Sequence, residues 1–154
     1  MLAIIRPDDW NLPLLVHVFG AMMLVGALST SLLFQFATWR GDDTTAFGRL
    51  AFRTLLYVAL PSWFVMRIGA EWIYRREGWE EAASEPAWLV VGYVTADLGG
   101  LLLLLAIILG GLGAGRLAAT RGRGRGLVRA STVLVTLALV AYIAAVWAMS
   151  GKPD

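Results

Sequence analysis

The sequence predicts an all-α membrane protein, a bundle of four transmembrane helices with up-down topology, on three observations. The 154 residues are 58% hydrophobic and only 16% charged, with a mean hydropathy of +0.69, far above the balance of a water-soluble domain. Four apolar runs occur, each able to form the helix of about 20 residues that crosses a hydrocarbon core. The connections "RGDDTTAFG", "RREGWEEAASEP" and "RLAATRGRGRG" are too short to hold a further domain. Neighbouring helices must therefore pack antiparallel, and residues 1–154 form one domain.

The first run, Leu12 to Trp39, is too long for a signal peptide and lacks both a basic leader and a small-residue cleavage site, so it reads as a retained span. Pro13 suits its first turn. The second run, Leu50 to Tyr74, contains Pro61, which removes a backbone donor and should kink the helix. Pro86 precedes the third run, Trp88 to Ala114, and the fourth extends from Leu127 to Met149.

Orientation follows from the basic residues flanking the runs. The connection from 115 to 129 carries Arg116, Arg121, Arg123, Arg125 and Arg129 without an acid, and Arg40, Arg49 and Arg53 lie on the same side. The other side has Arg6, Arg75, Arg76 and Lys152, accompanied by Glu77, Glu80, Glu81 and Glu85. This asymmetry predicts a multi-pass protein of the cell membrane, a bacterial inner membrane, with the first and third connections cytoplasmic and both termini extracytoplasmic. "RGRGRG" is then a topology anchor at anionic headgroups, and nucleic acid is not an expected partner.

Absences narrow the chemistry. There is no cysteine, which removes disulfides, thiolate catalysis, iron–sulfur clusters and cysteine-ligated zinc. A single histidine rules out a bis-histidine haem within one protomer. No nucleophile with a neighbouring base, phosphate-binding loop or nucleotide fingerprint is present, so an enzyme is the least supported class.

The residues that do not fit a lipid-soluble chain are His17, Arg67, Glu71 and Asp97. Counted from the ends of their runs, all four fall in the outer half of the membrane, on three helices. Steps of three and four join Arg53, Tyr57, Leu60, Phe64, Arg67, Glu71 and Tyr74 into one stripe of the second helix. Tyr93 and Asp97 share a face, as do His17, Gly20, Leu24, Ser31 and Gln35. Converging faces would enclose an outward-facing pocket of His17, Arg67, Glu71, Tyr93 and Asp97, roofed by Trp72, Trp88, Tyr142 and Trp147. Charges in a bilayer normally face the bundle interior, where they pair or serve a ligand or ion pathway. Arg67 can pair with Glu71, although arginine preceding glutamate is the poorer order. Asp97 needs Arg67 or a protonated His17. The same residues also suit a closed ion-pair network that fixes helix register, and Arg67 and Glu71 could instead snorkel to the headgroups.

Elsewhere the helices look architectural. Gly92, Ala96, Gly100, Gly111 and Gly115 form a small-residue ridge, and Ala138, Ala141, Ala145 and Ala148 repeat on the fourth helix. Such faces allow close packing within the bundle, or against another protomer or a membrane-complex partner. Met22, Met23 and Met66 read as core fillers, with an axial haem ligand opposite His17 as the alternative.

The stretch "LVHVFGAMMLVGALSTSLLF", with a histidine early in the first span and a small residue three positions on, together with the proline-bearing "LYVALPSWFVMRIGAEW" and a third span beginning with tryptophan, resembles integral membrane proteins of the DUF2269 type. More remotely the chain is similar to copper-resistance D-type and haem-associated protoporphyrinogen-oxidase membrane proteins. That resemblance implies a link between His17 and haem or a metal.

Three function classes follow. In a binding protein, His17, Glu71 and Asp97 offer an imidazole and two carboxylates to a divalent metal, with Arg67 as counter-charge. In a proton-coupled transporter or ion-conducting subunit, Asp97 and Glu71 exchange protons. In an accessory subunit the charges are structural. The expectation is a small membrane protein with an outward-facing polar pocket for a ligand or ion.

Overall fold

The computed structural model describes residues 11–40, 44–79, 86–119 and 124–151. These are helical throughout apart from the segments flanking the helices. The helices are α1 (Asn11–Arg40), α2 (Thr44–Thr54), a π-helical turn (Leu55–Ala59), α3 (Leu60–Arg76), α4 (Ala87–Ala119) and α5 (Arg125–Gly151). α2, the π turn and α3 run on without leaving helical backbone, since both Thr54 and Leu60 are right-handed helical. The chain therefore forms four rods, each antiparallel to the next: His17 meets Met66, Phe52 lies against Gly111, and Ser131 reaches Ala106.

Three helices are long and apolar enough to cross a membrane: Leu12–Trp39, Ala87–Ala119 and Arg125–Gly151. The first coincides with the expected run. The other two outrun theirs because terminal residues such as Arg116 and Arg125 continue the helix beyond its apolar part. The second rod begins at Thr44 rather than Leu50, with Gly48 and Ala51 turned inward and Arg49 and Arg53 exposed.

Pro61 shapes the second rod as a π turn. Its ring would collide with the carbonyl four residues back and it has no N–H to give, and widening the preceding turn relieves both. Leu60 accordingly donates to the Leu55 carbonyl, five residues back. The extra residue breaks the stripe counted from Arg53 to Tyr74. Tyr57 and Phe64 face outward, whereas Arg67 is half-buried. α3 ends where Gly78 takes a positive φ of 71°, the left-handed conformation that glycine adopts without strain at a helix C-terminus.

The core is a column of leucine, alanine and valine. Leu24, Leu28, Leu55, Leu103 and Val135 are fully enclosed, with Ala106 and Ala138 between them. Glycines of α4 are sockets within the bundle: a methyl at Gly99 would strike the Tyr142 ring and one at Gly100 the Trp63 indole 2.6 Å away. Gly92 and Gly111 receive Met149 and Phe52 in the same way. Of the expected core methionines only Met66 is buried, while Met22 and Met23 are exposed.

The two ends differ. At the end bearing Trp39, Gly48 and Arg125, the interior carries Ser31, Gln35, Thr38, Ser131 and Thr132, all buried. Ser31 donates to the Ala51 carbonyl at 3.2 Å and receives Gln35 Nε2 at 3.1 Å. At the other end α3 and α4 touch sparingly, whereas α2 and α4 pack along their length. The second and third rods thus splay apart toward Arg67.

Candidate functional site

The splayed end holds the charges. Arg67 of α3 is shared by two carboxylates: its Nη1 lies 3.5 Å from Glu71 Oε2, and its Nε donates to Asp97 Oδ1 of α4 at 3.3 Å. Arg75 donates to the other Glu71 oxygen at 3.0 Å. The Tyr93 ring lies under the Arg67 guanidinium, 4.5 Å from its carbon, and the Tyr93 hydroxyl donates to Glu71 Oε2 at 3.5 Å. Tyr74 packs edge-on against Tyr93 at 5.4 Å. Two guanidinium groups and two carboxylates leave the cluster formally neutral.

The four-residue spacing puts Arg67, Glu71 and Arg75 on successive turns of one α3 face, and Tyr93 and Asp97 on the facing turns of α4. What fixes their level is a carbonyl one residue before the aspartate. Trp63 Nε1 donates to Ala96 O at 2.9 Å and Tyr142 Oη at 3.5 Å, so α3 and α5 both hold α4 at this point. The rings reach it only because residues 99 and 100 are glycines. Sequence reasoning missed Trp63, Gly99 and Gly100. The signal was the "DLGG" step, where two adjacent glycines follow an intramembrane acid on a long helix.

The cluster is a lateral site rather than an enclosed pocket. Side-chain exposure rises from 26% at Arg67 through 39% at Glu71 to 63% at Asp97, so the aspartate looks out through the opening between α3 and α4. Of the expected roof, Tyr142 is buried beneath the site and Trp88 pairs edge-on with Trp79 at 6.1 Å. Trp147 does not roof it, being 73% exposed on the outside of α5.

His17 stands elsewhere. Its Nδ1 donates to the Met66 carbonyl at 3.0 Å, on the seam where α1 and α3 come closest. There a methyl at Gly69 would meet the His17 backbone at 2.6 Å. Arg67, Glu71, Tyr93 and Asp97 are thus brought together, whereas His17 is joined to the neighbouring face of α3. Among the described residues no three histidine or carboxylate side chains form a group that could hold a metal ion, so His17, Glu71 and Asp97 do not converge on one point.

Comparison with known proteins adds no relative: no family model, curated protein or solved structure matches the chain. The fold and the site define an apolar helical bundle with a neutral, laterally open cluster of two arginines and two carboxylates.

Proposed function

We propose that the chain is a four-span membrane protein, both termini extracytoplasmic, that binds a cation or a ligand with a cationic group at Glu71 and Asp97, with Arg67 as the shared counter-charge. Asp97 carries this reading. It is 63% exposed yet lies ten residues into α4, about 15 Å from the helix start. A carboxylate at that depth is costly unless its charge is met, and Arg67 is already divided between two acids. A cationic group entering between α3 and α4 would complete the neutralisation.

A second span-crossing argument supports the topology. The rod from Thr44 to Arg76 lies along α1 from the Ser31–Ala51 contact to the His17–Met66 contact, so it traverses whatever depth α1 traverses. The arginine asymmetry between the two ends supports the orientation. The resemblance to DUF2269-type proteins agrees with such a bundle and supplies no ligand.

Binding is favoured over conduction by the fully enclosed layer of Leu28, Leu55, Leu103 and Val135 between the cluster and the polar interior at the other end. The competing reading, a structural charge network in an accessory subunit, is favoured by how many partners Arg67 has. Thermal unfolding in nanodiscs separates the two. Sodium, magnesium, zinc and small alkylammonium ions are titrated against wild type and Asp97→Asn. Stabilisation of wild type by one of them, lost in the variant, upholds the binding site; identical curves for all of them discard it.

A further inference from the structure

At the arginine-bearing end, Phe36 and Trp39 of α1 and Thr132, Val133, Thr136 and Leu137 of α5 line a groove of about 190 Å³ open to the bundle's outside. Its walls are apolar despite the two threonines, because each hydroxyl is spent on its own helix. Thr132 donates to the Val128 carbonyl at 2.9 Å and Thr136 to that of Thr132 at 2.8 Å. Trp39 stands edge-on to Phe36 at 5.1 Å, and the Arg129 guanidinium lies 5.8 Å from the Trp39 ring centre. Steps of four align Arg125, Arg129, Val133 and Leu137 on one stripe of α5. The groove therefore ends under two basic residues.

We infer that this groove binds one anionic phospholipid, an acyl chain lying between α1 and α5 and the phosphate on Arg129, with Arg125 one turn beyond. Tryptophan marks the headgroup level of a bilayer, and Trp39 holds Arg129 at that level beside the groove mouth. From Arg129 to Leu137 the helix rises about 12 Å, which suits the upper part of an acyl chain running down from its headgroup. Guanidinium groups favour phosphate by paired hydrogen bonds. The headgroup must be anionic rather than zwitterionic because Arg49, Arg53, Arg116, Arg125 and Arg129 share this end, and no carboxylate lies there among the described residues. The same charges disfavour a second copy of the chain as occupant, since a two-fold contact here would set arginine against arginine.

Native mass spectrometry of the full chain, released from bilayers of equal phosphatidylglycerol and phosphatidylcholine, tests the site. Wild type should retain one phosphatidylglycerol in preference to phosphatidylcholine. Arg129→Gln should reduce that preference about fivefold, the equivalent of one basic residue at a membrane surface. Val133→Trp, which fills the groove, should lower retention of both lipids, and Arg116→Gln should change nothing. Unfolding curves certify each variant, with Leu137→Trp replacing Val133→Trp if the latter does not fold. Equal retention of the two lipids by wild type overturns the inference. So does an equal loss in Arg116→Gln, which would mean diffuse attraction, or an unaltered result in the groove-filling variant. Displacement by inorganic phosphate would make it a simple anion site, and a disulfide dimer through Val133→Cys would put a second copy there; either result also overturns it.

Discussion

Trp63 and Asp97 never touch, yet the indole N–H of the first is bonded to the carbonyl immediately before the second, at 2.9 Å. The height of the aspartate on α4 relative to Arg67 on α3 is thereby set through the backbone. Trp63→Phe keeps the ring in the Gly100 socket and removes only the donor. It should destabilise the protein by about 1 kcal/mol, read as a lower melting temperature in nanodiscs. Tyr142→Phe, whose bond to the same carbonyl is 3.5 Å long, should cost less.

Arg67 and Asp97 should behave asymmetrically. Asp97→Asn leaves Arg67 with Glu71, whereas Arg67→Gln leaves two carboxylates in an apolar surrounding. The arginine change should therefore be the worse, about 2 to 3 kcal/mol after allowing for partial exposure, against about 1 for the aspartate. The double variant should fall well short of the sum of the singles in equilibrium unfolding. Strict additivity would mean that the 3.3 Å contact contributes nothing.

Tyr93 separates ring from hydroxyl. Tyr93→Phe retains the cation–π contact and gives up a long hydrogen bond, so it should be near neutral. Tyr93→Leu removes the ring beneath Arg67 and should cost about 1 kcal/mol or more. Equal melting temperatures for the two variants would show the stacking to be inert.

Gly69 tests the α1–α3 seam. A methyl there meets the His17 backbone at 2.6 Å, which no rotamer change can relieve, so Gly69→Ala should destabilise by about 1 to 3 kcal/mol. Gly26, where nothing lies within 4 Å, is the control. Gly26→Ala should stabilise slightly, by roughly 0.5 to 1 kcal/mol, through helix propensity.

Topology is open to labelling, because the chain has no cysteine. A single cysteine at position 82 should react with an impermeant reagent from outside intact cells, and one at position 122 should not. The reverse result inverts the orientation.

Much of the architecture was legible because helical periodicity survives wherever the helix is regular. His17, Gly20, Leu24, Ser31 and Gln35 share a face of α1 as expected, and Gly20, Leu24, Ser31 and Gln35 are buried on it. Arg67, Glu71, Tyr93 and Asp97 meet because each pair is separated by one turn on its own helix. His17 could not be assigned to the cluster or away from it, since depth was readable but the angle between α1 and α4 was not. The buried polar group around Gln35 was missed for a related reason. An amide on an apolar face looks like an isolated residue until the Ser31 hydroxyl is seen between it and the Ala51 carbonyl.

The widened turn from Leu55 to Ala59 makes the charged face sensitive to chain length rather than to side-chain identity. Each residue advances a helix by about 100°, so deleting a single alanine or valine there would swing everything from Leu60 onward about its own axis by that angle. Arg67 and Glu71 would then leave Tyr93, although no charged residue had been changed. The turn is in effect an angular setting, one residue wide, that decides which neighbour the charges of α3 confront.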